Sequence, residues 1–296
     1  MTSTSAATWL AGARPKTLPA AVVPVAVGTA ASIDSSTAWD GNTIWWRALA
    51  ALVVALALQI ATNYANDYSD GVRGTDDDRT GPLRLVGSGT VEAKLVKRAA
   101  FGCFGAAAVA GLALVIAVGP ELLIVGVASI LAGWFYTGGS SPYGYMGLGE
   151  VFVFVFFGLV ATAGSAYIQP ASWSGLVWLV AVGVGCLATA LLVANNLRDI
   201  PTDRATGKMT LAVRVGDRGS RALFVVFLIV PFIVVVLAAT QRSWALLGLG
   251  ALPLAVGAIR PVARGAVGRE LIAVLEATGR TQLVYGVLLT IGLWIG

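Results

Sequence analysis

Histidine is absent from this chain, and that absence removes a large part of enzyme chemistry. Without imidazole there is no Ser-His or Cys-His nucleophile pair, no imidazole base and no His-ligated metal. Cysteine is nearly absent as well. Cys103 and Cys186 lie in different apolar segments with no paired spacing, so they read as small buried apolar side chains, neither disulfide nor ligand. Charge is the third scarcity. Only 12% of residues are charged against 57% hydrophobic, at a mean hydropathy of +0.82, which excludes an ordinary soluble domain. The net charge of +5 does not indicate a nucleic-acid binder, because the basic residues are spread over loop after loop with no aromatic-interleaved patch.

What is present is a succession of apolar runs. Nine spanning segments are expected, at 18–34, 43–66, 95–118, 120–138, 148–168, 174–198, 220–239, 243–260 and 278–296. They make one all-α polytopic membrane domain, 1–296, with no room for a second globular unit. The first run follows Arg14-Pro15-Lys16 without a convincing cleavage site and is expected to stay as a helix. It carries Pro19 and Pro24 and is expected to bend. Trp9, Trp39, Trp45, Trp46, Trp173, Trp244 and Trp294 fall near segment ends, where indole favours the interface. Gly102, Gly105, Gly111, Gly183 and Gly185 are expected to permit close helix contact.

Lysine and arginine set the orientation. With the N-terminus in the cytoplasm and nine helices threaded, 18 of the 20 basic residues fall on or beside cytoplasmic segments; only Arg47 and Arg242 do not. This places the protein in the cell (inner) membrane with its acidic stretches on the cytoplasmic side.

Those acidic stretches are the informative part. The first runs from Gln59 through Asn63, Asn66, Asp67, Asp70, Arg73 and Asp76-Asp77-Asp78 to Arg79. The second runs from Asn195 through Arg198, Asp199 and Asp203 to Lys208, and together they hold seven of the fifteen acids. Each follows a long apolar segment, the second and the sixth, and Asn63-x-x-Asn66-Asp67 echoes Asn195-x-x-Arg198-Asp199. An even helix offset would let both ends face one cavity as a parallel repeat. If the helices continue, spacings of three and four put Asn63, Asn66, Asp67 and Asp70 on one face, and Asp199 with Asp203 on another. Two carboxylates about 5 Å apart repel by roughly 3 kcal/mol at an effective dielectric of 20. A hard divalent cation with oxygen ligands resolves that repulsion, and Mg²⁺ commonly shares its shell with substrate phosphates. Arg73, Arg79, Arg198 and Lys208 are then candidates for phosphate oxygens. The bland alternative is a pair of solvated, charge-mixed loops that merely stop two helices.

Asn-Asp-x-x-Asp and Asp-x-x-x-Asp at two helix ends resemble the UbiA superfamily of intramembrane prenyltransferases. Four stretches resemble its branch that prenylates dihydroxynaphthoate in menaquinone synthesis. They are Arg14-Pro-Lys-Thr-Leu-Pro19; Asn66-Asp67-Tyr-Ser-Asp70 with Gly74-Thr-Asp76; Tyr136-Thr-Gly-Gly139 with Gly147-Leu-Gly-Glu150; and Asn195-Asn196-Leu-Arg198-Asp199 to Lys208. The resemblance implies nine helices around a cavity open sideways to the lipid bilayer, with Mg²⁺ bridging the acidic ends to a polyprenyl diphosphate. It implies Asn66, Asp70, Asp199 and Asp203 as the first metal ligands, with Asp67 and Asp76 after them, and Asn63, Arg73, Arg79, Arg198 and Lys208 against the diphosphate. Many relatives carry a lysine four residues after the tyrosine matching Tyr136; here that residue is Ser140, so Lys208 takes its place.

An allylic cation needs a dry, electron-rich pocket, for which Tyr136, Tyr143, Tyr145 and the run Phe152, Phe154, Phe156, Phe157 are available. Plain packing is the other reading of the Phe run. With no histidine, the candidates for a base are Asp67 and Asp76. Glu150 either caps its helix or faces the cavity. Three readings compete: an aromatic prenyltransferase acting on dihydroxynaphthoate (or on 4-hydroxybenzoate, homogentisate, haem or a phosphosugar), a CDP-alcohol phosphatidyltransferase, and a transporter. The phosphatidyltransferase spacing is missing after Asp70-Gly71, and a transporter's polar groups belong at the midplane.

Overall fold

The computed structural model describes residues 5–33, 43–75, 83–170 and 174–296, and among these the chain is helical with no strand. A short helix α1 (Ala6–Ala13) and a 3-10 turn (Pro15–Thr17) lead into α2 (Pro19–Ser32). Then follow α3 (Trp45–Arg73), α4 (Ala93–Ala117), α5 (Glu121–Phe135), α6 (Gly149–Tyr167), α7 (Gly175–Ala205), α8 (Leu211–Ala238), α9 (Ser243–Ala263) and α10 (Glu270–Ile295). The nine expected segments correspond in order to α2–α10. Six of these, α3, α4 and α6–α9, are long and apolar enough to cross a membrane; α2 and α5 are shorter apolar helices. Pro19 sits in the first turn of α2, where a missing N–H costs nothing.

The largest departure from the expected boundaries lies at the two acidic stretches. The apolar signal fades at 66 and 198, but α3 continues to Arg73 and α7 to Ala205. The helices persist because the polar residues that follow are buried against other elements instead of passing into water. Asp67, Asp70, Arg198, Asp199 and Asp203 are all buried. α3 stops at Gly74, whose positive φ of 72° gives the left-handed cap that a side-chain-bearing residue resists.

Two packed bodies enclose a cavity. In one, α7 lies at the centre, its apolar residues packed against α2, α6, α8 and α10, with Tyr285, Phe224 and Leu187 fully buried. In the other, α3 packs along α4, with α1, α5 and the 85–91 turn completing a smaller core around Tyr64 and Phe104. Glycine permits the closest approach inside the first body. A Cβ on Gly158 of α6 would stand 2.5 Å from the Cα of Gly185 on α7, and one on Gly183 would meet the Tyr285 hydroxyl. The expectation fails for Gly102 and Gly105, which face open space on the outside of α4. Trp45 stacks on Trp294 at 5.3 Å at one end of the bundle, and Trp9 packs edge-on against Tyr64. Trp39 and Trp173 lie outside the described residues.

The two basic residues expected outside the cytoplasmic segments have a structural use. Arg47 donates to the carbonyls of Ala117 and Ile168, where α4 and α6 end. Arg242 donates to Leu293 and Ile33, where α10 and α2 end. Each guanidinium thus satisfies two helix C-termini that lack intrahelical partners. Replacing Arg47 or Arg242 by alanine is expected to cost about 2–4 kcal/mol through the orphaned carbonyls. Thermal unfolding in detergent checks this; an unchanged midpoint in both variants would contradict it.

Candidate active site

The cavity between the two bodies has a volume of about 960 Å³. Its walls are largely aliphatic, from Val54 and Leu58 on α3, Leu112 and Val115 on α4, and Leu191 and Leu192 on α7. At one end the lining turns polar: Gln59, Asn63, Asn66 and Asp70 from α3, Arg14 and Lys16 before α2, Arg84, and Asn195, Asn196, Arg198 and Lys208.

Here the two acidic helix ends meet. The Lys208 ammonium lies 3.9 Å from Asp70 Oδ2 and 3.7 Å from Asp203 Oδ1. It reaches back because α7 is followed by Gly207 at φ 75°, and the Lys208 amide donates to the Asp203 carbonyl at 2.8 Å. Arg84, which the sequence analysis did not single out, brings a second cation within 3.9 Å of Asp70 Oδ2. The other Asp70 oxygen accepts from Tyr145 at 2.8 Å. Burial foremost, and then the charge of Asp70, hold the Tyr145 phenol above its ordinary pKa, so it stays protonated and donates. Lys208 and Arg73 both lie over the Tyr145 ring, at 5.1 and 5.3 Å. Tyr145 therefore ties the α5–α6 loop to the acidic centre, helped by its carbonyl, which accepts from Met209.

Other expected site residues are placed differently. Asp67 is fully buried and does not line the cavity; its two oxygens accept the Leu85 and Val86 amides at 2.8 and 2.9 Å. It holds the turn that carries Arg84, and the expectation that it handles a proton finds no geometry to support it. Arg73 donates to the carbonyls of Thr137 and Gly139 and does not face the cavity. The amide nitrogen of Asn63 is taken by Ala13 O at 2.9 Å and Thr17 Oγ1 at 3.2 Å, which leaves it no donor for a phosphate. Asp199 accepts both arms of Arg198, at 2.7 and 2.8 Å, and Arg198 also donates to Asn195. Asn66 lines the cavity, and its side-chain oxygen accepts from Thr137. Asp76 and Arg79, with Asp77 and Asp78, lie outside the described residues. Among the described residues no three carboxylate or thiol groups converge on one point. Of the four expected metal ligands, Asp70 and Asp203 are brought onto a shared cation, Lys208.

Tyr136 lines the cavity and begins an aromatic series. It stands edge-on to Tyr143 at 5.5 Å, Tyr143 stacks on Phe152 at 3.9 Å, and Phe152 on Phe156 at 6.0 Å. The Phe run divides. A π-helical stretch at Phe154–Val160 widens α6, so that Phe152, Phe156 and Phe157 all reach the cavity while Phe154 packs on Gly185. Glu150 is buried in the first turn of α6, accepts from Asn196 at 2.9 Å and does not line the cavity.

An all-helical bundle with an acid–cation cluster closing one end of a long apolar cavity defines a class: multi-pass membrane proteins suited to an amphiphile with an anionic head. The UbiA prenyltransferase family model matches residues 21–294. The chain belongs to that family. It is 50% identical over 285 residues to the 1,4-dihydroxy-2-naphthoate octaprenyltransferase of Mycobacterium leprae (strain TN), covering 96% of this chain and 95% of that one. Its fold is similar to the apo structure of a UbiA homolog from Aeropyrum pernix K1, at a TM-score of 0.70, 13% identity, and 93% and 97% coverage of the two chains. It is also similar to a UbiA homolog from Archaeoglobus fulgidus bound to GPP and Mg²⁺, at a TM-score of 0.64, 12% identity, and 95% and 99% coverage.

Proposed function

We propose that this enzyme transfers a polyprenyl group from polyprenyl diphosphate to 1,4-dihydroxy-2-naphthoate, with loss of CO₂ and diphosphate, giving demethylmenaquinone. The observation that carries the reading is the meeting of Asp70 and Asp203 on Lys208 at the polar end of the apolar cavity. A prenyl tail fits the aliphatic walls, and only an anionic head suits the cations gathered at that end. The mycobacterial relative's name supplies the acceptor. The lysine and arginine distribution supports a cytoplasmic active site in the cell membrane.

The donor set fits a hard divalent cation: side-chain oxygens of Asn66, Asp70 and Asp203, with Asp199 one turn before Asp203 on α7 and no imidazole in the chain. Mg²⁺ held there would neutralise the leaving diphosphate. The A. fulgidus homolog bound to GPP and Mg²⁺ supports that choice. The chain's own residues do the rest. Arg84, Arg198 and Lys208 face the diphosphate; Arg73 and Asn63 have moved to supporting roles. Asp67 positions Arg84. Tyr136, Tyr143, Phe152 and Phe156 present ring faces to the allylic carbon and keep water away as positive charge develops. Asp76 and Arg79 stay in the proposal on the sequence motif alone.

The test uses detergent-solubilised protein, labelled prenyl diphosphate and a panel of aromatic acceptors. Prenylated naphthoate is expected with Mg²⁺ and is expected to vanish in EDTA. Failure to prenylate any acceptor with Mg²⁺ present would remove the enzyme reading. Undiminished product in EDTA would remove the metal but leave the enzyme, and product with hydroxybenzoate or homogentisate alone would move the acceptor.

A further inference from the structure

The turn between α9 and α10 carries a cluster of arginines with few acids to answer it. Arg260 stands on the last turn of α9, Arg264 caps that helix, and Arg269 directly precedes α10. All three are exposed, and among the described residues none of their guanidinium groups forms an ion pair or a hydrogen bond. The acids at this corner are Asp217 and Glu270. Asp217 accepts both arms of Arg221 at 2.6 and 2.8 Å, and Glu270 accepts the Val267 amide at 3.1 Å. Arg218, also exposed, lies one turn before Arg221, so five arginines stand against two carboxylates.

The corner is held in place. Arg221 donates to the carbonyls of Val262 and Ala266 at 2.8 and 3.0 Å, which ties α8 to the end of α9. Gly265 at φ 91° and Gly268 at φ 52° turn the chain sharply, leaving Arg264 and Arg269 at the two feet of the turn. Between them Val267 is 62% exposed. α9 is long and apolar enough to cross a membrane, and its apolar run ends at these arginines, where hydrocarbon gives way to headgroups. A valine flanked by arginines suits that boundary: the apolar side chain enters the acyl region and the guanidinium groups reach outward. None of these arginines lines the cavity, so the cluster is separate from the proposed diphosphate site.

We propose that this corner binds the phosphate of an anionic phospholipid. Arg260 and Arg264 are one helical turn apart, about 5–6 Å between Cβ atoms, which lets both guanidinium groups reach one phosphate. The guanidinium fork pairs with two phosphate oxygens at once, and each basic residue beside an anionic membrane surface adds about fivefold in affinity. A zwitterionic headgroup brings its own ammonium to the same place and gains little there. A free phosphate has no acyl chain for Val267 to meet, so the lipid is the source. α10 connects the corner to the cavity, because Ile272, Leu275 and Glu276 line it within two turns of Arg269. A bound lipid therefore steadies the start of one cavity wall. The site goes beyond the proposed prenyl transfer and stands without it.

The test is thermal unfolding of the full chain in a neutral detergent, titrated with phosphatidylglycerol, phosphatidylcholine or inorganic phosphate. Phosphatidylglycerol is expected to raise the melting temperature, and the other two to leave it within about 1 °C. In the triple variant Arg260→Gln, Arg264→Gln, Arg269→Gln, the phosphatidylglycerol concentration giving half the rise is expected to increase at least about tenfold. Lys94→Gln with Arg98→Gln removes two exposed cations from α4 and is expected to respond as the wild type does. Single arginine variants, each expected to weaken the response by about fivefold, decide the matter if the triple variant fails to fold. A triple variant that responds like the wild type overturns the site. An equal loss in the α4 variant also overturns it, by showing only a general attraction of basic protein for anionic lipid. A rise with inorganic phosphate as large as that with phosphatidylglycerol overturns the lipid as the ligand. The readout does not depend on turnover, so failure of the naphthoate assay leaves the site standing and failure of the site leaves the reaction.

Discussion

Asp70→Ala is expected to lower prenyl transfer by at least about a hundredfold while the protein still inserts and folds. Asp70 is 2% exposed and gathers three partners from three separate segments: Tyr145 at 2.8 Å, Arg84 at 3.9 Å and Lys208 at 3.9 Å. Removing the carboxylate takes away a negative centre that keeps two cations close to each other, and with it an oxygen ligand for the proposed ion. Asp203→Ala, on the other side of Lys208, is expected to have the same effect for the same reason. Tyr145→Phe should cost less, since it leaves both carboxylates in place. The measurement is initial rate with saturating Mg²⁺, beside a size-exclusion profile that reports folding. Activity within a few-fold of wild type in both aspartate variants would show that the centre has been misplaced.

The second large effect concerns Asp67 and separates positioning from chemistry. Its two oxygens hold the Leu85 and Val86 amides in a fully buried site. Asp67→Ala orphans two buried N–H groups, at about 1–3 kcal/mol each, and frees the turn that aims Arg84 at Asp70. Activity is expected to fall about tenfold or more, together with a lower melting temperature and faster tryptic cleavage at Arg84. Asp67→Asn keeps one acceptor and should lie between. A base would behave otherwise: Asp67→Asn would abolish turnover with stability and proteolysis unaltered. That result would restore Asp67 to proton transfer.

Arg84 shows what sequence reasoning passed over, and Tyr145, expected only as a ring of the aromatic pocket, shows a hydrogen-bonding role it missed. Neither sits in an acidic stretch. Arg84 is about fourteen residues beyond Asp70, in a segment with no periodic signal, and Asp67 holds the Leu85 and Val86 amides directly after it. A spacing of three ordinarily puts two side chains on one face, so nothing local to the sequence marked Asp67 as bracing a turn while Asp70 lines the cavity. Arg198 and Asp199 give the complementary lesson. Adjacent in sequence and expected separately at diphosphate and metal, they pair with one another.

By itself the sequence determined the membrane class and the order of the helices, and it pointed to the two acidic stretches that the fold brings together. These follow from local quantities, apolar run length and the clustering of acidic residues, which no folding can hide. Tertiary structure alone decided which polar side chains face the cavity and which brace its walls. A buried polar group must find a partner, and whether that partner is a ligand or the next loop depends on how segments far apart in sequence come to lie together.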